Sequence, residues 1–398
     1  MITVAEVDNL IKAALLSLGE EKVSLASATG KILKEKVLAD RDFPPFNRVM
    51  MDGIAIQYDV WKEGNKEFKI EGLSAAGTTQ ISLSSGENCL EVMTGAVMPA
   101  NADTVVKYEE VTIEDGVATI NVDHVIKQGQ HVHLQGMDRK EGDLLLEPDR
   151  VISAAEIATL ATVGVTEVTV AKTPKVAVIA TGDELVEIEQ TPETHQIRKS
   201  NVHSLIAALE RHEIRAEAFH FIDNKDAIRR GLAEILDFFD VVVLSGGVSK
   251  GKLDYVPEIL DELGVKKDFH FVKQRPGKPF WFGRYKKGVV FALPGNPVSS
   301  FVGLTRYVVP FLYRSTGVEP KAVKAMLTED FTFKPDLTYY LQVSLQYSDD
   351  GRLLATPVPG RGSGDLANLL DADAFLELPQ GKNLYEKGDV FRCWEFRR

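Results

Sequence analysis

Residues 241–255 read Val-Val-Val-Leu-Ser-Gly-Gly-Val-Ser-Lys-Gly-Lys-Leu-Asp-Tyr and hold the densest chemical signal in the chain. An apolar run ends in Gly246, Gly247 and Gly251, then come Lys250, Lys252 and Asp254. Glycine lets backbone amides approach a ligand closely. Successive N–H groups form concavities for anions, lysine neutralises phosphate as a point charge, and a carboxylate suits Mg²⁺. The segment therefore predicts a phosphorylated ligand with a divalent metal. The plain alternative is a glycine-rich turn with solvated lysines.

Two further loops share this character. Thr181-Gly182-Asp183-Glu184 follows an apolar run at Lys175–Ala180. Pro294-Gly295-Asn296-Pro297 separates a run at 289–293 from a helical pattern. Asn296 suits an N-cap and Pro297 the first helical position, which puts Ser299 and Ser300 in the first turn. A helix N-terminus offers unpaired N–H groups to an oxyanion. Arg275 and Lys278 flank a Pro-Gly turn and could hold a multi-oxygen anion. The neighbouring carboxylates are Asp183, Glu184, Asp223 and Asp254. Asp254 could instead cap a helix at 255–263, and Asp223 could start one at 225–238. His131 and His133 would share one face of a strand, but no third ligand stands nearby. No Walker loop or nucleophile elbow is present.

The elements that must position these residues follow from hydrophobic periodicity. Val4, Val7, Leu10, Ile11, Ala14, Leu15 and Leu18 would line one face of a helix over 3–18, ended by Gly19. Residues 40–57 read as a long loop, and 54–135 as a small antiparallel β domain. Ser153 and Glu156 form a capping box for a helix that Gly164 stops. Strands at 175–180, 217–222, 240–245 and 289–293 alternate with helices at 202–212, 225–238, 255–263 and 297–313. That alternation predicts a doubly wound parallel sheet, with ligands outside the carboxyl ends of its strands. The three loops should thus meet at one sheet edge. Strands at 339–347, 352–358, 374–378 and 389–396 predict a C-terminal β-barrel or sandwich.

Bulk composition narrows the function. The chain has 398 residues, room for two to four domains. A net charge of −12 argues against a nucleic-acid binder. Its only cysteines, Cys89 and Cys393, are too few and too far apart for a disulfide framework or a zinc site. No apolar run reaches the roughly 18 residues of a membrane span. The N-terminus lacks a basic segment before an apolar run. A cytoplasmic protein is expected.

Taken together, the motifs resemble the molybdopterin molybdenumtransferase family (MoeA and the E domain of gephyrin). They are Asp42-Phe43-Pro44-Pro45-Phe46-Asn47, Met51-Asp52-Gly53, Met93-Thr94-Gly95-Ala96 and Val97-Met98-Pro99, followed by the Thr181–Leu185, Ser245–Ser249, Asp254-Tyr255, Arg275–Pro279 and Leu293–Ser299 segments, in family order across nearly the whole chain. The resemblance implies a multidomain α/β plus β fold. An elongated helical domain would span 1–43 and 136–172, with a small β domain inserted at 44–135. A molybdopterin-binding α/β domain would occupy 173–318 and a β-barrel 319–398.

The family cleaves adenylylated molybdopterin with Mg²⁺ and inserts molybdate at the dithiolene. The resemblance places Asp254, Glu184 and Asp223 near metal or phosphate. Arg275, Lys278 and Ser299 would lie near molybdate or the pterin phosphate. Thr181, Gly182, Asp183, Ser245, Gly246, Gly247, Ser249, Pro294, Gly295, Asn296 and Pro297 would line the substrate site. It also implies a homodimer whose site lies between subunits, with Asp52 and Thr94 supplied by the second copy. Other molybdenum-cofactor biosynthesis proteins would be partners, and no membrane or nucleic acid.

Two residues depart from the family pattern. Arg275 stands where many members have lysine, and the two cations are not interchangeable. Asp365 introduces negative charge into the Gly360–Gly364 loop, leaving Arg361 as its nearest cation. Two other functions stay open at this level: molybdopterin adenylylation by a related α/β domain, and a scaffold role of the gephyrin type.

Overall fold

The computed structural model describes residues 1–122, 125–248, 254–358 and 360–397. The chain forms two compact units. One comprises Met1–Lys34, Asp149–Ile152 and Val168–Arg398, and the other Glu35–Pro148 and Ser153–Glu167.

The larger unit is organised by a six-stranded sheet. Its order is Ala216–Phe221, Val176–Thr181, Val241–Ser245, Gly288–Leu293, Trp281–Tyr285, Lys266–His270. The first four strands run parallel, with Val178 opposite Ala218 and Val243, and Val243 opposite Phe291. The last two run antiparallel and form an edge that the helix–strand alternation did not predict. Every residue of Val176–Thr181 and Val241–Ser245 is buried, as a strand covered on both faces must be. Helices Val4–Lys12, Ser200–Glu210 and Pro297–Gly303 lie with one face, where Val7, Leu205, Val243 and Phe291 pack. Helices Lys225–Phe238 and Val256–Glu262 cover the other through Leu232, Ile235, Ile259 and Leu260.

Two helices depart from their sequence pattern. The first ends at Lys12 instead of running to Gly19. Leu15 is exposed, and the Leu16 N–H donates to Ser315 Oγ at 3.2 Å, which draws the chain off the helix axis. The helix that begins at Pro297 widens into a π-helical turn at Leu304–Val308 before continuing as Val309–Ser315. Pro310 has no N–H to offer a carbonyl one turn back, and the wide turn absorbs that loss.

That π turn carries a buried cation. Arg306 is 3% exposed, donates to both oxygens of Asp8 at 2.9 and 2.8 Å, and donates to Glu377 Oε2 at 3.0 Å. Its guanidinium also lies over the rings of Tyr307 and Trp394.

The C-terminal strands close into a ring. Thr338–Tyr347 pairs with Leu353–Pro357 and with Ala374–Leu378; Val323–Leu327 and Val390–Glu395 complete five strands. A closed barrel leaves no unpaired edge among those strands.

The smaller unit contains a second six-stranded sheet, ordered Thr104–Lys107, Gly53–Ile56, Asn88–Val92, Glu67–Ser74, Val117–Ile120, Val111–Glu114. It is not wholly antiparallel: Glu67–Ser74 and Asn88–Val92 run parallel. An Asp115-Gly116 turn with φ of 49° and 77° closes its last hairpin. Gly53 is required by close strand approach, since a Cβ there would stand 2.0 Å from the Val106 carbonyl oxygen. Ser153 and Glu156 form the expected capping box of helix Ala154–Thr162. Both cysteines are buried, and burial pushes the Cys89 thiol up to about 12.

Candidate functional site

Parallel strands direct their carboxyl ends to one edge, so the loops after Thr181, Ser245 and Leu293 emerge together. A cavity of about 940 Å³ opens there. Thr181, Gly182, Glu184, Asp223, Ser245, Gly246, Gly247, Asp254 and the Pro294–Pro297 loop line it. Thr181 is 6% exposed, and its Oγ1 is buried with no hydrogen-bond partner among the described residues. A polar atom left so inside a cavity wall is suited to a ligand.

The carboxylates form one electrostatic group. The Asp223 N–H donates to Asp183 Oδ1 at 2.9 Å. Burial, then the charges of Asp183 and Glu184 and more weakly Asp254, hold the Asp223 carboxyl above the ordinary aspartate range. Other residues occupy the N-cap positions of the two helices. Asn224 caps helix Lys225–Phe238, its Oδ1 accepting from Asp226 N at 3.1 Å and Ala227 N at 3.0 Å. Tyr255 occupies the N-cap of Val256–Glu262, with no side-chain cap bond.

Asn296 occupies the expected N-cap, but its side chain makes no capping bond. Its Nδ2 donates instead to Ser363 Oγ at 2.9 Å, and Val298 N donates to Ser363 O at 3.1 Å. The barrel loop is thereby held at this helix start, and Gly364 joins the cavity lining. Asp365 closes its own loop by accepting the Arg361 N–H at 2.9 Å.

Other expected residues lie elsewhere. Ser299 is buried at 3% exposure and is not among the described lining residues. Arg275 and Lys278 are exposed around their turn and also lie outside that lining. The turn itself is fixed from within: buried Gln274 donates through Nε2 to Gly277 O at 3.1 Å and accepts from Tyr307 OH at 2.5 Å. Ser249, Lys250, Gly251 and Lys252 lie outside the described residues.

Asp52 and Thr94 meet in the smaller unit. The N–H and Oγ1–H of Thr94 both donate to Asp52 Oδ1, at 2.6 and 2.8 Å. Those bonds, the backbone one first, hold the exposed Asp52 carboxyl below the usual carboxylate range. In the 131–133 segment His133 Nε2 faces Asp138 Oδ1 at 3.0 Å and its Nδ1 faces Arg48 Nη2 at 3.1 Å, and among the described residues no third metal-ligating side chain joins the two histidines.

Sequence reading missed Asn201. Its Nδ2 donates to Ser245 Oγ at 2.9 Å and to Gly295 O at 2.7 Å, tying two site loops together. Arg198, Lys199 and Ser200 also line the cavity. The signal was an Arg-Lys-Ser-Asn run directly before a predicted helix. Lys199 pairs with Glu187, so its charge is already committed.

This arrangement is a MoeA-type architecture. Across its whole length the chain superposes on two crystal structures of the molybdopterin biosynthesis MoeA protein from Pyrococcus horikoshii, with TM-scores of 0.84 and 0.83 and sequence identities of 28% and 25%. The matches cover 100% and 99% of both chains. Residues 2–164 match the MoeA N-terminal region (domain I and II), 177–314 the "probable molybdopterin binding domain", and 324–396 the MoeA C-terminal region (domain IV). The chain is 40% identical over 394 residues to the molybdopterin molybdenumtransferase of Synechocystis sp., covering 98% of this chain and 99% of that one. It is 32% identical over 380 residues to that of Staphylococcus epidermidis, covering 92% and 89%. The chain belongs to the molybdopterin molybdenumtransferase family.

Proposed function

We propose that this chain is a molybdenum insertase, a transferase of molybdenum-cofactor biosynthesis. It takes adenylylated molybdopterin and molybdate, releases AMP, and leaves molybdenum on the dithiolene. The observation that carries this reading is the convergence of three glycine-bearing loops and a group of carboxylates on one cavity. Family membership supplies the identity of the substrates.

A phosphoanhydride carries several negative charges, and its cleavage needs charge neutralisation and alignment. The loop backbones at Gly182, Gly246, Gly247 and Gly295 approach the phosphate, with the Thr181 and Ser245 hydroxyls beside them. The carboxylate group fits a divalent cation, because Asp223 is crowded by like charges that a cation would relieve. Asp254, Asp223 and Glu184 would hold Mg²⁺, which neutralises phosphate charge when bound. Among the described residues no three His, Cys, Asp or Glu side chains converge as a ready-made metal cage. One or two carboxylates would therefore act with substrate phosphate oxygens, the usual manner of Mg²⁺. Ser299, Arg275 and Lys278 serve the molybdate or pterin end. Asp52 and Thr94 complete the site from a second copy in a homodimer. We retain the four-part division at 1–43 with 136–172, 44–135, 173–318 and 319–398, and a cytoplasmic location.

Purified protein should release AMP from adenylylated molybdopterin only with molybdate and Mg²⁺ present. Formation of the adenylylated species from ATP would favour the adenylyltransferase reading. Tight peptide binding without turnover would favour a scaffold. Asp254→Ala should abolish turnover while the fold persists; a wild-type rate in that variant would remove Asp254 from the mechanism.

A further inference from the structure

Three loops of the cavity have carbonyl oxygens tethered by the side chains of His220, His270 and Asn201. His220 Nε2 lies 3.0 Å from Gly182 O, His270 Nε2 lies 2.9 Å from Val248 O, and Asn201 Nδ2 lies 2.7 Å from Gly295 O. Gly182, Val248 and Gly295 all line the cavity; neither histidine is among its described lining residues. A carbonyl can only accept, so Nε2 of both imidazoles must carry a proton.

The consequence follows from peptide geometry. A trans peptide is planar, so the N–H of the next residue points opposite to the tethered C=O. Tethering the Gly182 and Gly295 oxygens therefore fixes the amides of Asp183 and Asn296 in the opposite sense. Among the described residues neither amide has a protein acceptor. At Val248 the tether engages a carbonyl oxygen of the cavity lining with a donor from outside that lining. The effect matters here because Glu184, Asp223 and Asp254 share the same cavity and repel an anion. A wall that also presented carbonyl oxygens would add to that repulsion.

We infer that Asn201, His220 and His270 are positioning residues that turn this cavity wall from carbonyl-facing to amide-facing, making it a surface for a tetrahedral oxyanion of the nucleoside-monophosphate class. The inference rests on the insertase reading for the identity of that anion. It is independent of that reading for the orientation of the peptides.

Calorimetric titration with AMP tests it. His220→Leu and Asn201→Leu, neither of which can donate or adds charge, should each weaken AMP binding about tenfold, the order of one well-placed hydrogen bond. His220→Gln can donate from its side-chain amide and should bind within about threefold of wild type. A merely structural role would make affinity follow thermal stability, measured in parallel, whether or not a donor is kept. Wild-type affinity in both His220→Leu and Asn201→Leu overturns the inference. Absence of AMP binding to the wild-type chain overturns only the adenylate identity. A crystal structure of His220→Leu then decides the positioning role: a Gly182 oxygen turned into the cavity upholds it, and an unmoved peptide overturns it.

Discussion

Gly246 rests directly on Thr181: a methyl group on Gly246 would stand 2.8 Å from Thr181 Oγ1 and 3.0 Å from the Thr181 carbonyl oxygen. Its φ of 110° is also a conformation that side-chain-bearing residues rarely adopt. Gly246→Ala should therefore displace both loops at the mouth of the cavity. We expect about 1–3 kcal/mol of lost stability in urea titrations. AMP release should fall about a hundredfold, because small misplacements of reacting groups cost that much. A wild-type rate would show that the close approach is incidental.

Arg306 predicts a stability effect far from the cavity. Its guanidinium is buried between Asp8, Glu377, Tyr307 and Trp394. Arg306→Met removes the charge and leaves Glu377 with an unbalanced, largely buried carboxylate. The expected loss is about 3 kcal/mol by chemical denaturation. Arg306→Met combined with Glu377→Gln should recover part of it, because the orphaned charge is then gone.

Asp52 and Thr94 predict subunit complementation. If Asp52 serves the site of a second copy, Asp52→Asn and Asp254→Ala damage different contributors to one site. Each variant alone should be inactive. Co-expressed at equal levels, they should form mixed dimers with one intact site, giving about a quarter of wild-type activity. No recovery in demonstrably mixed dimers would place both residues in the service of a single chain.

His212 gives a pH dependence at the opposite end of the parallel strands. Burial, then the nearby Arg211 charge, hold its imidazole below the ordinary value of 6.5. Its Nδ1 stands 3.0 Å from Tyr313 OH. The unfolded chain takes up this proton more readily than the folded one, so the contribution is fully present above 6.5 and is lost as pH falls toward the lowered folded value. The urea midpoint should drop from pH 7.5 to about pH 5, and His212→Gln should reduce that drop.

How much was legible in the sequence can be judged residue by residue. Val241–Leu244 announced a buried strand because a strand covered on both faces needs four apolar residues in succession, and the loops after it were found on the same logic. Lys266–His270 and Trp281–Tyr285 escaped because lysine, glycine and arginine interrupt their apolar pattern, although Trp281 and Phe282 pack on opposite faces of the sheet. Asn296 was assigned to the right position with the wrong partner, since nothing local reveals that Ser363 lies opposite. Asn201, His220 and His270 were invisible for the same reason. Their partners are separated from them by between 22 and 94 residues, and periodicity carries no information about which carbonyl the fold will bring there. Arg306 and Asp8 stand 298 positions apart, and Leu16 and Ser315 stand 299 apart.

The burial of Cys89 has a meaning for inorganic chemistry. An ionised thiol is the sulfur group that captures metal ions most readily. With its acidity suppressed to about 12, the Cys89 thiol stays protonated at physiological pH and is a poor donor. Cys393 is shut inside the barrel. Both thiols of the chain are thus withdrawn from solvent, and neither is open to capture a metal ion as a thiolate.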